Sequence, residues 1–383
     1  MALALSASTV KAWFQYRCER KVRYELFTDE ELATLPIAVD VREQSWAVLG
    51  VDYEERVLRR LDAEVGVLRP SPGDFGLLEA DAISFLRGRS RQPYASQLNL
   101  KPRAPLPLLE GTGVSLKRVF PDLIHREVVG ERTVFTVIDV KATRRATPFH
   151  KTQIAFYVRV LEALLIELGI SAEVGGKAYV WRIPDRGTAD GNDYQAEEFG
   201  LAPYLRLVGD FCSNLLPQIA SRVVEPGEAA PRRDDTFFHL YFKCEQCKFL
   251  EHCMAAVSDM KPPAARDVSA VAGITHEAKR SLHRLGVRKV GDLAGAAGLA
   301  NTPGIGWSLT RRADLFTRRA QAIIAQEPRR TEEAHTYLMP PRADAVLLLS
   351  VDHDPVDDRL AAIGYAHYRE GKLIRELVQV PPT

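Results

Sequence analysis

Two β-like runs, SLKRVFPDLIHREV and RTVFTVIDVKAT, flank a short segment centred on Gly130 and Glu131. This pattern constrains the chain more than any other, because alternating residues on either side of a glycine turn predict an antiparallel hairpin. With the turn centred between Gly130 and Glu131, opposed residues have numbers summing to 261, so Asp122 faces Asp139. Two carboxylates across a ladder repel, and a fold that places them there needs a compensating cation. Side chains alternate along a strand, so Lys141 shares the face of Asp139 while Val140 points the other way.

Two acids and an amine on one face suit phosphodiester hydrolysis, in which oxygen ligands hold Mg²⁺ or Mn²⁺, the cation polarises the phosphate, and water attacks. Lys141 would orient that water or stabilise developing charge. The bland alternative is a solvent-facing hairpin with a chance Asp-x-Lys spacing.

With 383 residues, 46% of them apolar and 26% charged, the chain is long enough for two or three domains around sizeable cores. No apolar run is long enough to cross a bilayer, and the opening MALALSASTVKAWFQYRCERK has no basic segment ahead of its short apolar stretch. The expectation is therefore a cytoplasmic protein with no membrane partner. A net charge of +1 neither demands nor excludes nucleic acid, since local patches decide. Arg87, Arg89 and Arg91 form one patch, Lys141, Arg144, Arg145 and Lys151 a second, and RRADLFTRR a third. Each is otherwise a solvated face.

The first 66 residues or so read as helical. Short strands are expected near 76–86 and 94–99, and KPRAPLPLLEG is too proline-rich for a central strand. After the hairpin, FHKTQIAFYVRVLEALLIELG has helical periodicity and a glycine cap, and GKAYVWRIP reads as a buried strand. A long helix is expected at about 199–222, a Pro/Gly/Arg-rich linker at 225–234, helices from 265 to 326, and three strands joined by tight turns at the end.

The pair Pro121-Asp122 followed by Asp139-Val140-Lys141 resembles the signature of the PD-(D/E)XK nucleases. Gln153 and Tyr157, four residues apart on one helical face, resemble the Gln-x-x-x-Tyr motif of the RecB-like members. The resemblance implies an α/β restriction-endonuclease-like core, a mixed sheet flanked by helices. It implies that Asp122, Asp139 and the Val140 carbonyl hold the metal, Lys141 assists the water, and Gln153 and Tyr157 position the strand. Related chains usually add a histidine from an N-terminal helix. Here the corresponding segment, Gly50-Val51-Asp52-Tyr53-Glu54, has Tyr53 at that place. A phenol is a poor ligand for a hard cation, so Glu54 is the candidate substitute.

Cys244, Cys247 and Cys253 form C-x2-C-x5-C, and Cys18 is the candidate fourth thiolate. Such a set suits either Zn²⁺ or an iron–sulfur cluster. The arrangement resembles AddB-type and CRISPR adaptation nucleases, which implies a [4Fe–4S] cluster clasping the N-terminal helix to the end of the nuclease region. His252 keeps zinc open as an alternative ligand set, and Cys212 reads as a core residue.

Further on, VSAVAGITHEAKRSLHRLGVRKVGDLA resembles a helix-hairpin-helix module with Ala272-Gly273-Ile274 in its hairpin, and Gly304-Ile305-Gly306 suggests a second. Asp352-His353-Asp354 resembles the first acidic motif of RNase H-like exonucleases, but too little chain follows for that fold. The expectation is a truncated or degenerate remnant with no second active site. The domains expected are thus 1–260 for the nuclease with its clasp, 261–335 for a small all-α module, and 336–383 for a β segment. No GxxxxGK[S/T] motif is present, so no ATP-driven motor is encoded. The function expected is a metal-dependent nuclease acting on single-stranded DNA, with a helicase supplied as a partner or a further fused domain. The alternative is a catalytically silent nuclease-fold module that binds DNA or acts as a scaffold.

Overall fold

The computed structural model describes residues 3–33, 41–185, 194–225, 233–329, 343–354 and 359–380. In the first part, β1 (Leu3–Leu5) leads into helices α1 (Ala7–Tyr16), α2 (Glu19–Glu25), α3 (Asp29–Leu32) and α4 (Val41–Val65). Next come β2 (Val67–Leu68), α5 (Glu79–Leu86), β3 (Tyr94–Ser96) and β4 (Val114–Leu116). The hairpin is β5 (Leu123–Val129) and β6 (Arg132–Lys141), followed by α6 (Pro148–Glu167), β7 (Ala172–Val174), β8 (Lys177–Arg182) and β9 (Gln195–Gly200). Helices α7 (Ala202–Asp210) and α8 (Leu216–Ala220) and the two-residue strands β10 (Val224–Glu225) and β11 (Arg233–Asp234) close this part.

The hairpin adopts the expected register, with Val129 opposite Arg132 and Leu123 opposite Ile138. It forms the middle of a mixed sheet ordered β2-β3-β5-β6-β8-β9, with β7 also paired to β6. Strand β6 runs antiparallel to β5 and parallel to β7 and β8, and α6 is the crossover that a parallel step requires.

Both sheet faces are covered. Ile124, Phe135, Val137, Ala178 and Val180 pack with residues of α1 and α6, including Val10, Trp13, Ile154 and Leu161. On the other face, Leu123, Ile138, Val140 and Trp181 pack with Tyr53, Val57, Leu58 and Leu61 of α4. Asp139 follows the alternation of Val137 and therefore faces α1 and α6.

Several local expectations change. Residues 79–86 form a helix, not a strand: Ala82, Phe85 and Leu86 are its buried residues, at helical spacing. The N-terminal stretch contains a strand, since β1 pairs in parallel with β4, and its helix breaks at Arg17, which is left-handed at φ 51°. The expected long helix at 199–222 begins only after β9 and is interrupted by a π turn at Phe211–Leu215. Pro217 lies two residues beyond its end, and a proline, which has no N–H, cannot complete the regular ladder there. Of the expected linker at 225–234, residues 226–232 lie outside the described residues.

Beyond α9 (Leu250–Met254), α10 (His276–Arg284), α11 (Val290–Ala294), α12 (Trp307–Thr310) and α13 (Ala313–Ala325) enclose a second core of Val271, Leu282, Leu293, Leu309 and Phe316. Both expected hairpins are tight turns, with Gly273 at φ +85°, Gly304 at +74° and Gly306 at +85°, a region that favours glycine. The last part is an antiparallel sheet of β12 (Ala345–Asp354), β13 (Arg359–Arg369) and β14 (Lys372–Gln379). The chain is thus an α/β protein with a mixed sheet flanked by helices, a helical unit and a small C-terminal antiparallel sheet. Among the described residues, no helix is long and apolar enough to cross a membrane.

Candidate active site and cysteine cavity

Asp122 sits one residue before β5, and its Oδ2 accepts from the Val140 amide at 2.9 Å and from Lys141 Nζ at 2.7 Å. The same ammonium lies 2.8 Å from Asp139 Oδ1. That contact is an ion pair, and Oδ2 of Asp139 is buried with no hydrogen bond of its own among the described residues. The compensating cation that the sequence calls for is, in this structure, Lys141, whose ammonium lies between the two carboxylates.

Burial fixes the electrostatics here. Asp139 is fully buried, and desolvation pushes its carboxyl up to about 7 even though Lys141 pulls the other way. Burial also works against the Lys141 ammonium, but Asp122 and then Asp139 outweigh it and hold the group well above the ordinary lysine value. A buried carboxylate that shares a single ammonium with a second carboxylate is costly, and a hard divalent cation would satisfy both. Among the described residues, however, no three His, Cys, Asp or Glu side chains close on a common point as they stand.

Helix α4 settles which of two neighbouring residues faces this site. Tyr53 is 2% exposed and packs in the opposite core with Val57 and Val140, so it is a structural residue. Glu54 instead has its carboxyl pushed up to about 7, by burial first and then by the charge of Asp122. Gln97 Nε2 donates to Glu54 Oε1 at 2.8 Å. On α6, Gln153 Nε2 donates to Tyr157 Oη at 2.9 Å, and both side chains are buried. Tyr157 lies within electrostatic reach of Asp122 and Asp139.

Two residues near the site carried no sequence signal. Lys11, on α1, has its ammonium disfavoured by burial and then by Lys141, with Asp139 and Asp122 opposing. Gln97 has a left-handed backbone at φ 48°, which is uncommon outside glycine. Of the basic patches, Lys151 is held by Glu197 at 3.1 Å, and Arg319 donates to the Ala272 carbonyl at 2.6 Å.

The four expected cysteines, Cys18, Cys244, Cys247 and Cys253, line one cavity of about 20 Å³ together with Arg20 and Lys21. All five cysteines are free thiols, and Cys212 is buried in the π turn apart from that cavity. Burial pushes the Cys244 thiol up to about 11 and the Cys253 thiol to about 12, and raises Cys18 as well. Protein hydrogen bonds tie the same segments together: Tyr241 Oη donates to the Tyr16 carbonyl at 2.9 Å and Lys243 Nζ to the Gln15 carbonyl at 3.0 Å. His252 does not line the cavity; its Nε2 is 2.8 Å from Tyr24 Oη. The cavity is thus lined by four soft thiols with His239 beside them, donor types that suit an iron–sulfur cluster or zinc, although among the described residues no three of them close on a common point as they stand.

Comparison with protein-family models and with curated proteins finds no match to this chain.

Proposed function

We propose that this chain is a metal-dependent deoxyribonuclease of the RecB-like PD-(D/E)XK type, acting on single-stranded DNA and braced by a [4Fe–4S] cluster. The observation that carries the reading is Asp139: a fully buried carboxylate whose partner is the Lys141 ammonium at 2.8 Å, an ammonium that Asp122 shares. In this reading Asp122, Asp139 and the Val140 carbonyl hold Mg²⁺ or Mn²⁺, with Glu54 as a further carboxylate. A divalent cation bound there supplies Lewis acidity toward a phosphodiester.

The side chains divide the remaining work. The Val140 amide fixes Asp122 by donating to Oδ2. Lys141, beside both carboxylates, would direct its ammonium to the attacking water or to charge developing on the phosphate. Gln97 orients Glu54, and the Gln153–Tyr157 pair positions the strand from α6. Cys18, Cys244, Cys247 and Cys253 would hold the cluster, with Arg20 and Lys21 beside the thiolates; zinc is the alternative occupant. A helicase partner, separate or fused, would supply unwinding.

One observation favours a second reading, a silent nuclease-fold module that binds DNA: the Lys141 ammonium already bridges both carboxylates. Incubation of the purified protein with end-labelled single-stranded DNA and Mn²⁺ separates the two. Cleavage by the native chain that disappears in Asp139→Ala supports the nuclease, whereas equal cleavage by the variant, or none by either, removes it.

A further inference from the structure

An open cleft of about 450 Å³, which the chemistry above does not use, lies where α2, the chain after α8 and the helical unit meet. Its acids are almost all spoken for. Glu19 pairs with Arg280 at 3.0 Å, Asp234 with Arg20 at 2.9 Å, and Asp267 with Lys279 at 2.6 Å. The floor is braced by cations stacked on rings, with Arg280 at 4.1 Å from the Phe237 ring centre and Arg20 at 3.8 Å from that of Phe238.

Three arginines on the walls are left over. Arg222 follows α8, Arg284 ends α10, and Arg288 precedes α11, and all three are exposed. Among the described residues, the Arg222 and Arg288 side chains make no hydrogen bond or ion pair, and Arg284 reaches only Ser281 Oγ at 3.0 Å. A concave wall concentrates the field of such charges, and the planar guanidinium matches phosphate oxygens. The fourth acid on the lining, Asp235, is one carboxylate against three guanidiniums, so the cleft favours an anion.

We propose that this cleft binds the phosphodiester backbone of single-stranded DNA through Arg222, Arg284 and Arg288, as a contact separate from the carboxylate site and without reading sequence. The assignment of the strand as DNA rests on the nuclease reading above. Phosphate contacts of this kind set register and affinity, not sequence preference.

The test uses the full chain and a fluorescent 30-nucleotide single strand, titrated by anisotropy in EDTA over a series of NaCl concentrations. Each arginine removed from a phosphate should lower the slope of log K against log salt by about 0.7, and Arg222→Ala/Arg284→Ala/Arg288→Ala together by about 2. The corresponding triple lysine variant should keep most of the slope, because the charge remains. Single alanine variants at these exposed positions provide the same readout should the triple variant fail to fold. The proposal is overturned if the alanine variants bind with native affinity and slope, or if inorganic phosphate binds the cleft while the oligonucleotide does not depend on it. Arginine-dependent binding in a chain that never cleaves DNA would remove the nuclease and leave the cleft. Native cleavage with an unchanged salt slope in the variants would do the reverse.

Discussion

Gln97 joins the Glu54 carboxylate to the backbone of Asp122: its Nε2 donates to Glu54 Oε1 at 2.8 Å, and its backbone amide donates to the Asp122 carbonyl at 3.3 Å. A single residue with a left-handed backbone therefore couples α4 to the start of β5. Such strain persists where surrounding structure holds it and clusters at functional sites.

From this follows a separation between Glu54 and Tyr53. Glu54→Gln or Gln97→Ala should lower Mn²⁺-dependent cleavage about 10- to 100-fold, the usual effect of disturbing a ligand's support. Tyr53→Ala should instead destabilise the fold by about 3–5 kcal/mol as a buried aromatic lost from a core, while Tyr53→Phe retains activity. Steady-state rates and urea unfolding on the same preparations distinguish these outcomes.

Divalent metal should stabilise the native chain through the Asp122–Asp139 pair. At a concentration 100 times its dissociation constant, Mn²⁺ should add about 2.7 kcal/mol, read as a rise in the thermal midpoint. Asp139→Asn should abolish both that rise and cleavage, the latter by about 10³-fold, equivalent to several kcal/mol of transition-state stabilisation.

The cysteine cavity makes a spectroscopic prediction. Protein purified anaerobically should be brown and contain iron and acid-labile sulfide, and Cys18→Ser or Cys253→Ser should lose both together with thermal stability. Cys212→Ser, outside the cavity, should keep the colour. A colourless native protein with stoichiometric zinc would assign the site to zinc.

Lys279 is fully buried, pairs with Asp267 at 2.6 Å and lies 3.9 Å from the Phe238 ring centre. Burial disfavours its charge more than Asp267 restores it. Lys279→Met alone should cost about 3–5 kcal/mol because it strands Asp267, and adding Asp267→Leu should recover much of the loss. A double-mutant cycle by denaturant unfolding measures the difference.

Acid should loosen the same seam. Burial pushes His283 down to about 4, and the Lys279 charge adds to that. A histidine with a depressed value in the fold contributes stability that is full above its unfolded value, about 6.5, and is lost as pH falls toward about 4. His283→Gln should therefore make unfolding less pH-dependent across that interval, as seen in urea midpoints at pH 7 and pH 5.

The hairpin was the most legible part of the chain, because a period of two and a glycine turn are local properties. They sufficed to set Asp122 opposite Asp139 and to put Lys141 on their face. The helical spacing of Gln153 and Tyr157 was equally local, and so were the glycine turns at Gly273 and Gly304. By contrast, Ala82, Phe85 and Leu86 had helical spacing within a segment too short to announce it, and β1 is only three residues long. Its partner β4 is far away in sequence, and short strands gain their identity from such partners.

What the sequence determined by itself was the hairpin, its register and the cysteine spacing, all of which follow from dihedral preference and side-chain alternation over a few residues. Only the tertiary structure decided that Tyr53 turns into the core and Glu54 toward the acids, that Gln97 ties Glu54 to the backbone of Asp122, and that Cys18 lines one cavity with Cys244, Cys247 and Cys253. It also made Lys141 the cation between the aspartates. Those outcomes depend on which helix face finds an apolar sheet and on how much water burial removes from a charge, and neither quantity exists until distant segments pack.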